Sequence, residues 1–363
     1  MINRFKPTGP IVIGRFVEES RSRRQEKRFR NVISILKKHW FFVGIAAMIL
    51  ISFTVPAVGL FVHKHSVLKY GIFLAFFLSG LTLDTSRVVD QLRDFRVLGA
   101  AIVSSLVFFP LIGFGLAQFA LADYPDLVVG VCIIAVAPAT VAAGTAMTTI
   151  ARGNVPLSLF ICVSTNVVAV FTIPFALNLL LQANYNISLP LKATIISLTI
   201  TVIIPTALGQ LARIKAKEFL PRYKKYFSIF QQLIVLLIIL NAVSKSTGQL
   251  AEAGILVAYA FAFMIILHGI ILAMNLGISK LVHLDEPSTA AFTIHTSEKT
   301  LTVSYLVWNM NFAALFPISL IPAIAYHLTQ LILDTFVAQY FLKRLIAVEE
   351  AKESSLPGAA AAR

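Results

Sequence analysis

Thr293-Ile-His-Thr-Ser-Glu-Lys-Thr-Leu-Thr302 is the stretch that decides the fold, because it places three ionisable side chains inside the apolar segment 288–309. A charged side chain near the bilayer centre costs at least about 2.5–3.5 kcal/mol on insertion scales. Backbone that leaves the helix at membrane depth is tolerated only where protein buries it or where it lines a wet cavity. The stretch therefore predicts an interrupted membrane span that carries a functional site.

A second interruption is predicted near the middle of the segment 127–150, where Ala137-Pro138-Ala139-Thr140 is followed by Gly144-Thr145. Proline removes a backbone donor and clashes with the preceding turn. Taken alone, Pro138 indicates an ordinary helix kink, since proline is commoner in membrane helices than in soluble ones. Paired with the polar break at 293–302, it favours a site formed by two interrupted spans.

The composition is that of a membrane protein. Of the 363 residues, 58% are hydrophobic and 13% are charged, and the mean hydropathy is +0.83. A soluble domain is about 45–50% apolar and about 25% charged, so a soluble fold of this length would lack polar surface. The two cysteines, Cys132 and Cys162, lie in apolar segments and form no zinc or disulfide pattern. We expect an all-α polytopic membrane protein in the lipid bilayer, without an organic cofactor.

Ten membrane spans are predicted from runs of about 20 apolar residues. They cover residues 41–62, 67–83, 97–120, 127–150, 155–181, 190–212, 226–246, 252–278, 288–309 and 313–341. Five spans per half put the second half upside down, which gives two inverted repeats at about 41–181 and 190–341, as in many secondary transporters. The predicted domains are a basic N-terminal tail (1–38), a ten-helix domain (39–345) and a flexible C-terminal tail (346–363).

The basic residues mark one face of the membrane. Most Lys and Arg residues lie in the two tails and in the loops 84–96, 151–154, 213–225 and 279–287. The opposite side carries only Lys64, Lys69, Lys192 and Lys245. This asymmetry follows the positive-inside rule and predicts that both termini are cytoplasmic. The net charge of +14 is thus topological and requires no nucleic-acid partner, and a bacterial cytoplasmic membrane is the expected location.

Polar side chains near the two interruptions have the chemistry of an ion site. Hard cations such as sodium prefer several oxygen ligands from carboxylates, hydroxyls and carbonyls. The candidate donors are Thr145, Thr148, Ser158, Thr296, Ser297, Glu298 and Thr300. Half-helix N-termini are expected to hold an anionic substrate. The alternative is that Glu298 and Lys299 form structural links between helices. Structural roles or positions near the membrane interface are expected for His268, His327 and Asp334.

Three stretches of the chain resemble the bile acid:sodium symporter family. They are P-A-T-V-A-A-G-T-A-M-T-T-I-A-R-G-N-V-P-L-S (138–158), F-F-L-S-G-L-T-L (76–83) and T-S-E-K-T-L-T-V-S (296–304). The last is most similar to a divergent branch with the vertebrate seventh member and a plastid sodium/metabolite cotransporter. The resemblance covers nearly all of residues 40–343. It implies a ten-helix fold with a core and a panel domain, in which the unwound fourth and ninth helices cross, and alternating-access symport of organic anions with sodium.

The resemblance also implies site residues, with departures. A polar pair of the family falls at Gly144 and Thr145, and a Ser/Thr pair falls at Ser158 and Cys162. The family glutamate of the ninth helix falls at His295, and the family glutamine, a ligand of the second sodium, falls at Lys299. These departures weigh against coupling to two sodium ions. Lys299 occupies the place of one cation or pairs with an anionic substrate, and Glu298 is a candidate for the missing carboxylate.

The candidate site thus has two parts. The candidate ion-binding residues, for sodium as the coupling ion, are Thr145, Ser158, Cys162, His295, Thr296 and Glu298. The candidate substrate-binding residues are Pro138, Thr140, Gly144, Lys299 and Thr300.

Three functions compete at this point. The first is a sodium- or proton-coupled carrier of a small organic anion. The second is a membrane protein that regulates a partner, such as a calcium-entry pathway, without moving solute itself. An intramembrane enzyme is the weakest, because the chain has no H-E-x-x-H or G-x-S-x-G pattern. Primary pumping is not expected either, since no nucleotide-binding G-x-x-x-x-G-K-[ST] loop is present.

Overall fold

The computed structural model describes residues 39–84 and 95–354, and the regular elements within these ranges are helical. The helices in this part of the chain are α1 (Trp40–Thr54), α2 (Pro56–Lys64), α3 (Val67–Thr82), α4 (Phe95–Ala120), α5 (Pro125–Ala135), α6 (Val141–Ile150), α7 (Val155–Tyr185), α8 (Leu191–Ala216), α9 (Leu220–Lys245), α10 (Thr247–Ala253), α11 (Ile255–Leu281), α12 (Glu286–Ser297), α13 (Leu301–Asn311) and α14 (Ile321–Ser354). The basic tail 1–38 lies outside the described residues, and α14 continues into the segment predicted as a flexible tail.

Several helices are long and apolar enough to cross a membrane. By length and composition, α4, α7, α8, α9 and α11 qualify in the described part of the chain. The pair α1 and α2 adds a sixth if it is one span, but its halves are bent by 97°. The segment 41–62, predicted as one membrane span, therefore consists of two helices that meet at Val55. Val55 is non-helical because Pro56 follows it, and proline disfavours helical geometry in the preceding residue. The count of ten spans stays a prediction.

The helices pack in two groups. The first group contains α1, α2, α3, α8 and α9, and the second contains α4 to α7 and α11 to α14. In the first group, α3 and α8 approach closely because small residues face each other. A side chain on Gly80 would collide with the backbone of Thr206, and one on Gly209 would collide with the backbone of Phe77. Such contacts are typical of membrane helices, where small residues let backbones touch.

Helix α4 contains a π turn at Ser104–Phe108 that exposes one carbonyl group. In this turn the Phe109 N–H donates to the carbonyl of Ser104, five residues earlier. The next carbonyl, that of Ser105, would need the N–H of Pro110, which proline lacks. The Ser105 carbonyl is therefore free to bind a group outside the helix. Single π turns of this kind are frequent at functional sites.

Apart from the bend between α1 and α2, the breaks between α5 and α6 and between α12 and α13 meet each other. Residues 136–140 leave the helix between α5 and α6, and residues 298–300 do so between α12 and α13. The Thr300 N–H donates to the Pro138 carbonyl at 2.9 Å, so the two breaks are joined by their backbones. Both predicted interruptions are confirmed, and the simple kink at Pro138 is wrong. Five residues leave the helix there.

Candidate functional site

A cavity of about 290 Å³ lies between the two groups of helices. One wall is formed by the first turns of α6 and α13, from Thr140 and Thr300 onward. The other wall contains Ser79 of α3 and Gln231 of α9. The cavity therefore presents two half-helix N-termini, where unpaired N–H groups and the helix dipoles favour a negative charge.

A larger opening of about 640 Å³ adjoins this cavity and shares Val141 and Gln231 with it. It is lined by Arg213, Lys217 and Lys224. Lys217 and Lys224 are exposed, whereas Arg213 pairs with Asp84 at 3.1 Å. The entrance to the cleft is therefore basic, which raises the local concentration of anions.

Of the predicted substrate residues, Thr140 and Thr300 line the cavity, whereas Pro138, Gly144 and Lys299 do not. Thr140 begins α6, and its hydroxyl accepts a hydrogen bond from the Ala143 N–H at 3.3 Å. This is an N-cap, which satisfies one of the free donors of the first turn. The first turn of α6 therefore lines the cavity, whereas Pro138, in the break before α6, does not.

Lys299, expected at a substrate, is fully buried and points away from the cavity. Its ammonium donates to the Ser105 carbonyl at 2.6 Å, to the Ser105 hydroxyl at 3.1 Å and to the Ala137 carbonyl at 2.9 Å. These three oxygens, called the oxygen cage below, use all the donors of an ammonium group. The ring of Phe109 lies 4.4 Å from the nitrogen, at cation–π distance. Lys299 therefore occupies an oxygen site of the kind that a hard cation would prefer.

Gln330 of α14 holds the break around Lys299. The Lys299 N–H donates to the Gln330 side-chain oxygen at 2.8 Å, and the Gln330 amide donates to the Lys299 carbonyl at 2.9 Å. One side chain thereby satisfies both backbone groups that the missing helical turn leaves unpaired. Gln330 was not among the predicted site residues, although an amide side chain within an apolar span is a signal for such a role.

Glu298 lies in the same break and is only 1% exposed. It accepts hydrogen bonds from the Gly144 N–H and the Thr140 hydroxyl, so its carboxylate lies at the first turn of α6. A carboxylate is favourable there because of the helix dipole. Its Oε2 atom is buried and has no hydrogen-bond partner among the described residues.

Asp334 of α14 lies within hydrogen-bonding distance of Glu298, and it too is fully buried. Its Oδ1 is 2.8 Å from Nε2 of His268, and Nδ1 of His268 is 2.7 Å from the Tyr326 hydroxyl. His268 and Asp334, for which structural roles or positions near the membrane interface were expected, are both fully buried. The Asp334 Oδ2 atom has no partner in the part of the chain that the structure describes.

The hydrogen bonds around His268 define the charge of its pair with Asp334. The Tyr326 hydroxyl donates to the Ser297 carbonyl at 2.6 Å, so it cannot also donate to His268. His268 therefore carries a proton on Nδ1. The second nitrogen meets a carboxylate oxygen, so the contact needs one further proton, on His268 or on Asp334. In either form the His268–Asp334 pair is neutral as a whole.

His295 is fully buried beside Ser158 and Gly144. Its Nδ1 is 2.6 Å from the Ser158 hydroxyl, which accepts a hydrogen bond from Thr148 at 3.1 Å. The imidazole packs so closely on Gly144 that a side chain there would collide with it. The ring fills the space next to Ser158, where the family resemblance places a sodium ligand.

The side chains of the other predicted ion ligands make contacts with neighbouring residues of their own helices. The Thr145 hydroxyl donates to the Val141 carbonyl at 2.8 Å, and the Thr296 hydroxyl donates to the Phe292 carbonyl at 2.5 Å, each within its own helix. Cys162 is buried against the side-chain amide of Asn166, at 3.5 Å. In the described residues no group of three or more His, Cys, Asp or Glu side chains could hold a metal ion. The predicted ion residues therefore form separate contacts around the breaks.

Sodium does not fit the two positions that the resemblance gives for its ligands. At one, the imidazole of His295 takes the place of a carboxylate, and at the other the Lys299 ammonium already fills the oxygen cage. Free carboxylate oxygens occur instead at Glu298 and Asp334. Carboxylate oxygens are the ligands that hard cations prefer, so this pair fits sodium and the other two positions do not.

Comparison with known proteins agrees with the broken-helix architecture. Residues 39–343 match the sequence model of the SBF-like CPA transporter family. The chain belongs to this family. The resemblance to the bile acid:sodium symporters is confirmed, and as a member of a transporter family with several apolar helices the chain is an integral membrane protein and not an enzyme.

Relatives of this transporter come from plants, animals and bacteria. It is 26% identical over 329 residues to the probable sodium/metabolite cotransporter BASS4, chloroplastic, of Oryza sativa subsp. indica, covering 86% of this chain and 78% of the relative. It is 25% identical over 346 residues to sodium/bile acid cotransporter 7-B of Xenopus laevis, covering 90% and 99%. It is 29% identical over 319 residues to an uncharacterized protein of Pseudomonas aeruginosa, covering 84% and 93%. These names support a sodium-coupled transporter.

Proposed function

We propose that this chain carries a small organic anion across a membrane in symport with sodium by alternating access. The observation that carries the proposal is the cavity between the two helix groups, with two half-helix N-termini on one wall and a basic entrance. Such N-termini bind anionic groups in secondary transporters. The names of the relatives support the sodium dependence.

The packing of the helices supports the proposed core and panel domains. The group with both broken pairs is the core in this proposal, and the group of α1, α2, α3, α8 and α9 is the panel. The broken pairs α5–α6 and α12–α13 are built of segments of similar length, as expected for equivalent parts of two inverted five-helix repeats. Movement of the panel against the core would open the cavity to alternate sides.

The cavity in this conformation is proposed to face the cytoplasm. Its basic entrance, with Lys217 and Lys224, lies where α8 ends and α9 begins, in the segment 213–225 that the positive-inside rule places inside. Both termini are then cytoplasmic, and the bacterial cytoplasmic membrane is the proposed location.

Three contacts join the two groups at the proposed outer end. The Lys245 ammonium donates to the side-chain oxygen of Asn309 at 2.8 Å. The Ser246 hydroxyl donates to the Pro317 carbonyl at 2.7 Å. Closer to the midplane, the Tyr305 hydroxyl donates to Asn241 at 2.9 Å. These contacts, called the outer clamp below, support an inward-open conformation that is closed at its other end.

Lys299 limits the number of sodium ions in the proposed cycle. Its ammonium takes the place of one cation, because it donates hydrogen bonds to all three oxygens of the cage. We therefore propose that one sodium ion is transported in each cycle, in contrast to the two sodium sites that the resemblance implies.

The test is uptake into liposomes that contain the purified protein. Radiolabelled taurocholate, lactate and succinate are supplied under an inward sodium gradient and under a matched potassium gradient. The proposal predicts sodium-dependent accumulation of at least one anion, reduced when Lys217 and Lys224 are both replaced by glutamate. Monodisperse protein that accumulates none of these anions under the sodium gradient would favour a regulator that moves no solute.

A further inference from the structure

We propose that the coupling sodium ion binds between the carboxyl groups of Glu298 and Asp334, and that neither His295 nor Lys299 contributes to its site. The inference rests on the proposed sodium symport and names the ion site within it. Glu298 belongs to the break between α12 and α13, and Asp334 belongs to α14, so the site joins two elements of the core.

The two carboxyl groups are buried in an arrangement that a bound cation would stabilise. They lie within hydrogen-bonding distance of each other, and Glu298 Oε2 and Asp334 Oδ2 are both buried without a partner in the described chain. A buried polar atom without a partner is costly, and adjacent carboxylates in a low-dielectric interior repel each other. A cation between them removes both costs.

The local charge around the two carboxyl groups selects a monovalent ion. In the ionised form that a cation needs, Glu298 contributes one negative charge, and the His268–Asp334 pair is neutral as derived from its hydrogen bonds. The charge of Lys299 is held by the oxygen cage on α4 and the first break. The immediate surroundings of the two free oxygens therefore carry about one negative charge, which one sodium ion neutralises.

The position of the two carboxyl groups links sodium binding to anion binding. Glu298 accepts hydrogen bonds from Thr140 and Gly144 in the first turn of α6, and the same turn lines the anion cavity. An unneutralised Glu298 carboxylate competes with the substrate for the positive end of the helix dipole and repels it. Sodium at Glu298 removes this repulsion. The affinities for sodium and for the anion then rise together, as thermodynamic coupling requires.

The experiment measures sodium binding to the purified full-length protein without substrate. Thermal unfolding is followed in sodium chloride and in choline chloride of equal ionic strength, for the wild type, Asp334→Asn, Glu298→Gln and the exposed control Glu252→Gln. A ligand of the folded state raises the melting temperature in a saturable way. We expect a sodium-specific rise in the wild type and the control. In Asp334→Asn and Glu298→Gln, the sodium concentration that gives half of the maximal rise in melting temperature should increase by about 10–100-fold, the range typical of perturbed metal sites.

The proposal is overturned if wild-type protein shows no sodium-specific rise, or if Asp334→Asn and Glu298→Gln respond to sodium as the wild type does. If both variants aggregate, Glu298→Asp is measured in their place, because it keeps the carboxylate on a side chain that is shorter by one methylene group. An unchanged sodium response in folded Glu298→Asp overturns the site, and a weakened one supports it.

Liposome uptake separates this inference from the proposed function. Sodium-driven anion uptake whose half-saturation by sodium is unchanged in Asp334→Asn would keep the symport and overturn the site. Sodium binding that depends on Glu298 and Asp334, together with no uptake of the supplied anions, would keep the site and overturn the symport.

Discussion

Replacing Lys299 with glutamine tests the oxygen cage, because it removes the charge and restores the residue type that the family resemblance places there. The shorter amide can satisfy only part of the cage, so about two buried acceptors lose their donor. Each buried acceptor left without a partner costs about 1–3 kcal/mol. The expected loss of stability in the absence of sodium is therefore about 2–6 kcal/mol.

Sodium should recover part of this loss in Lys299→Gln, since the emptied cage offers two carbonyls and a hydroxyl to a hard cation. At a sodium concentration about a hundred times the dissociation constant, a bound ion contributes about 2.7 kcal/mol. The assay is thermal unfolding of purified protein in sodium chloride against choline chloride. We expect the sodium-dependent rise in melting temperature to be larger for Lys299→Gln than for the wild type.

The matched control is Lys280→Gln, which removes an exposed lysine of α11 and should leave both melting temperatures unchanged. Two results would refute the reasoning. If Lys299→Gln melts like the wild type in choline, the cage contributes no stability. If it melts earlier but gains no more from sodium than the wild type, the cage holds an ammonium group and is not a cation site.

Three further predictions concern other parts of the molecule. Gly144→Ala should destabilise by about 1–3 kcal/mol, because the added methyl collides with His295; Gly115→Ala, where the methyl meets nothing within 4 Å, should be neutral or stabilising in the same thermal unfolding assay. Tyr305→Phe removes a link of the outer clamp and should increase labelling of cysteines introduced at the outer end of the cleft, with unchanged labelling counting against the clamp. Lys217→Glu should raise the KM for the transported anion more than it lowers kcat, and a pure loss of kcat in uptake kinetics would contradict a role in attracting the anion.

The interruptions of the helices could be predicted because their causes are local. Pro138 lacks a backbone donor, and His295, Glu298 and Lys299 are costly in lipid, so each signal is contained in a few neighbouring residues. The bend before Pro56 had the same kind of signal, but the apolar run on both sides of it concealed the bend.

The partners of the site residues could not be predicted, because they come from distant parts of the chain. Lys299 reaches a carbonyl of Ser105, which is 194 residues away, and that carbonyl is free only because of the π turn before Pro110. The contact between Glu298 and Asp334 depends on how α14 packs against the second break. Hydropathy shows that Asp334 is costly in a membrane, but only the packing shows which group lies beside it.

The lysine in the oxygen cage has an electrical consequence for the proposed cycle. A bound sodium ion leaves the carrier on each turnover, whereas the charge of Lys299 is part of the chain and travels in both directions. Each elementary charge that crosses the full membrane potential contributes about 2.3 kcal/mol per 100 mV. Glu298, one residue before Lys299, supplies the opposite charge and travels with it. The two charges offset each other in the empty carrier, and one sodium ion together with one monovalent anion adds no net charge either. The proposed cycle is therefore electroneutral for a monovalent anion, and a divalent anion would make the movement of the loaded carrier depend on voltage.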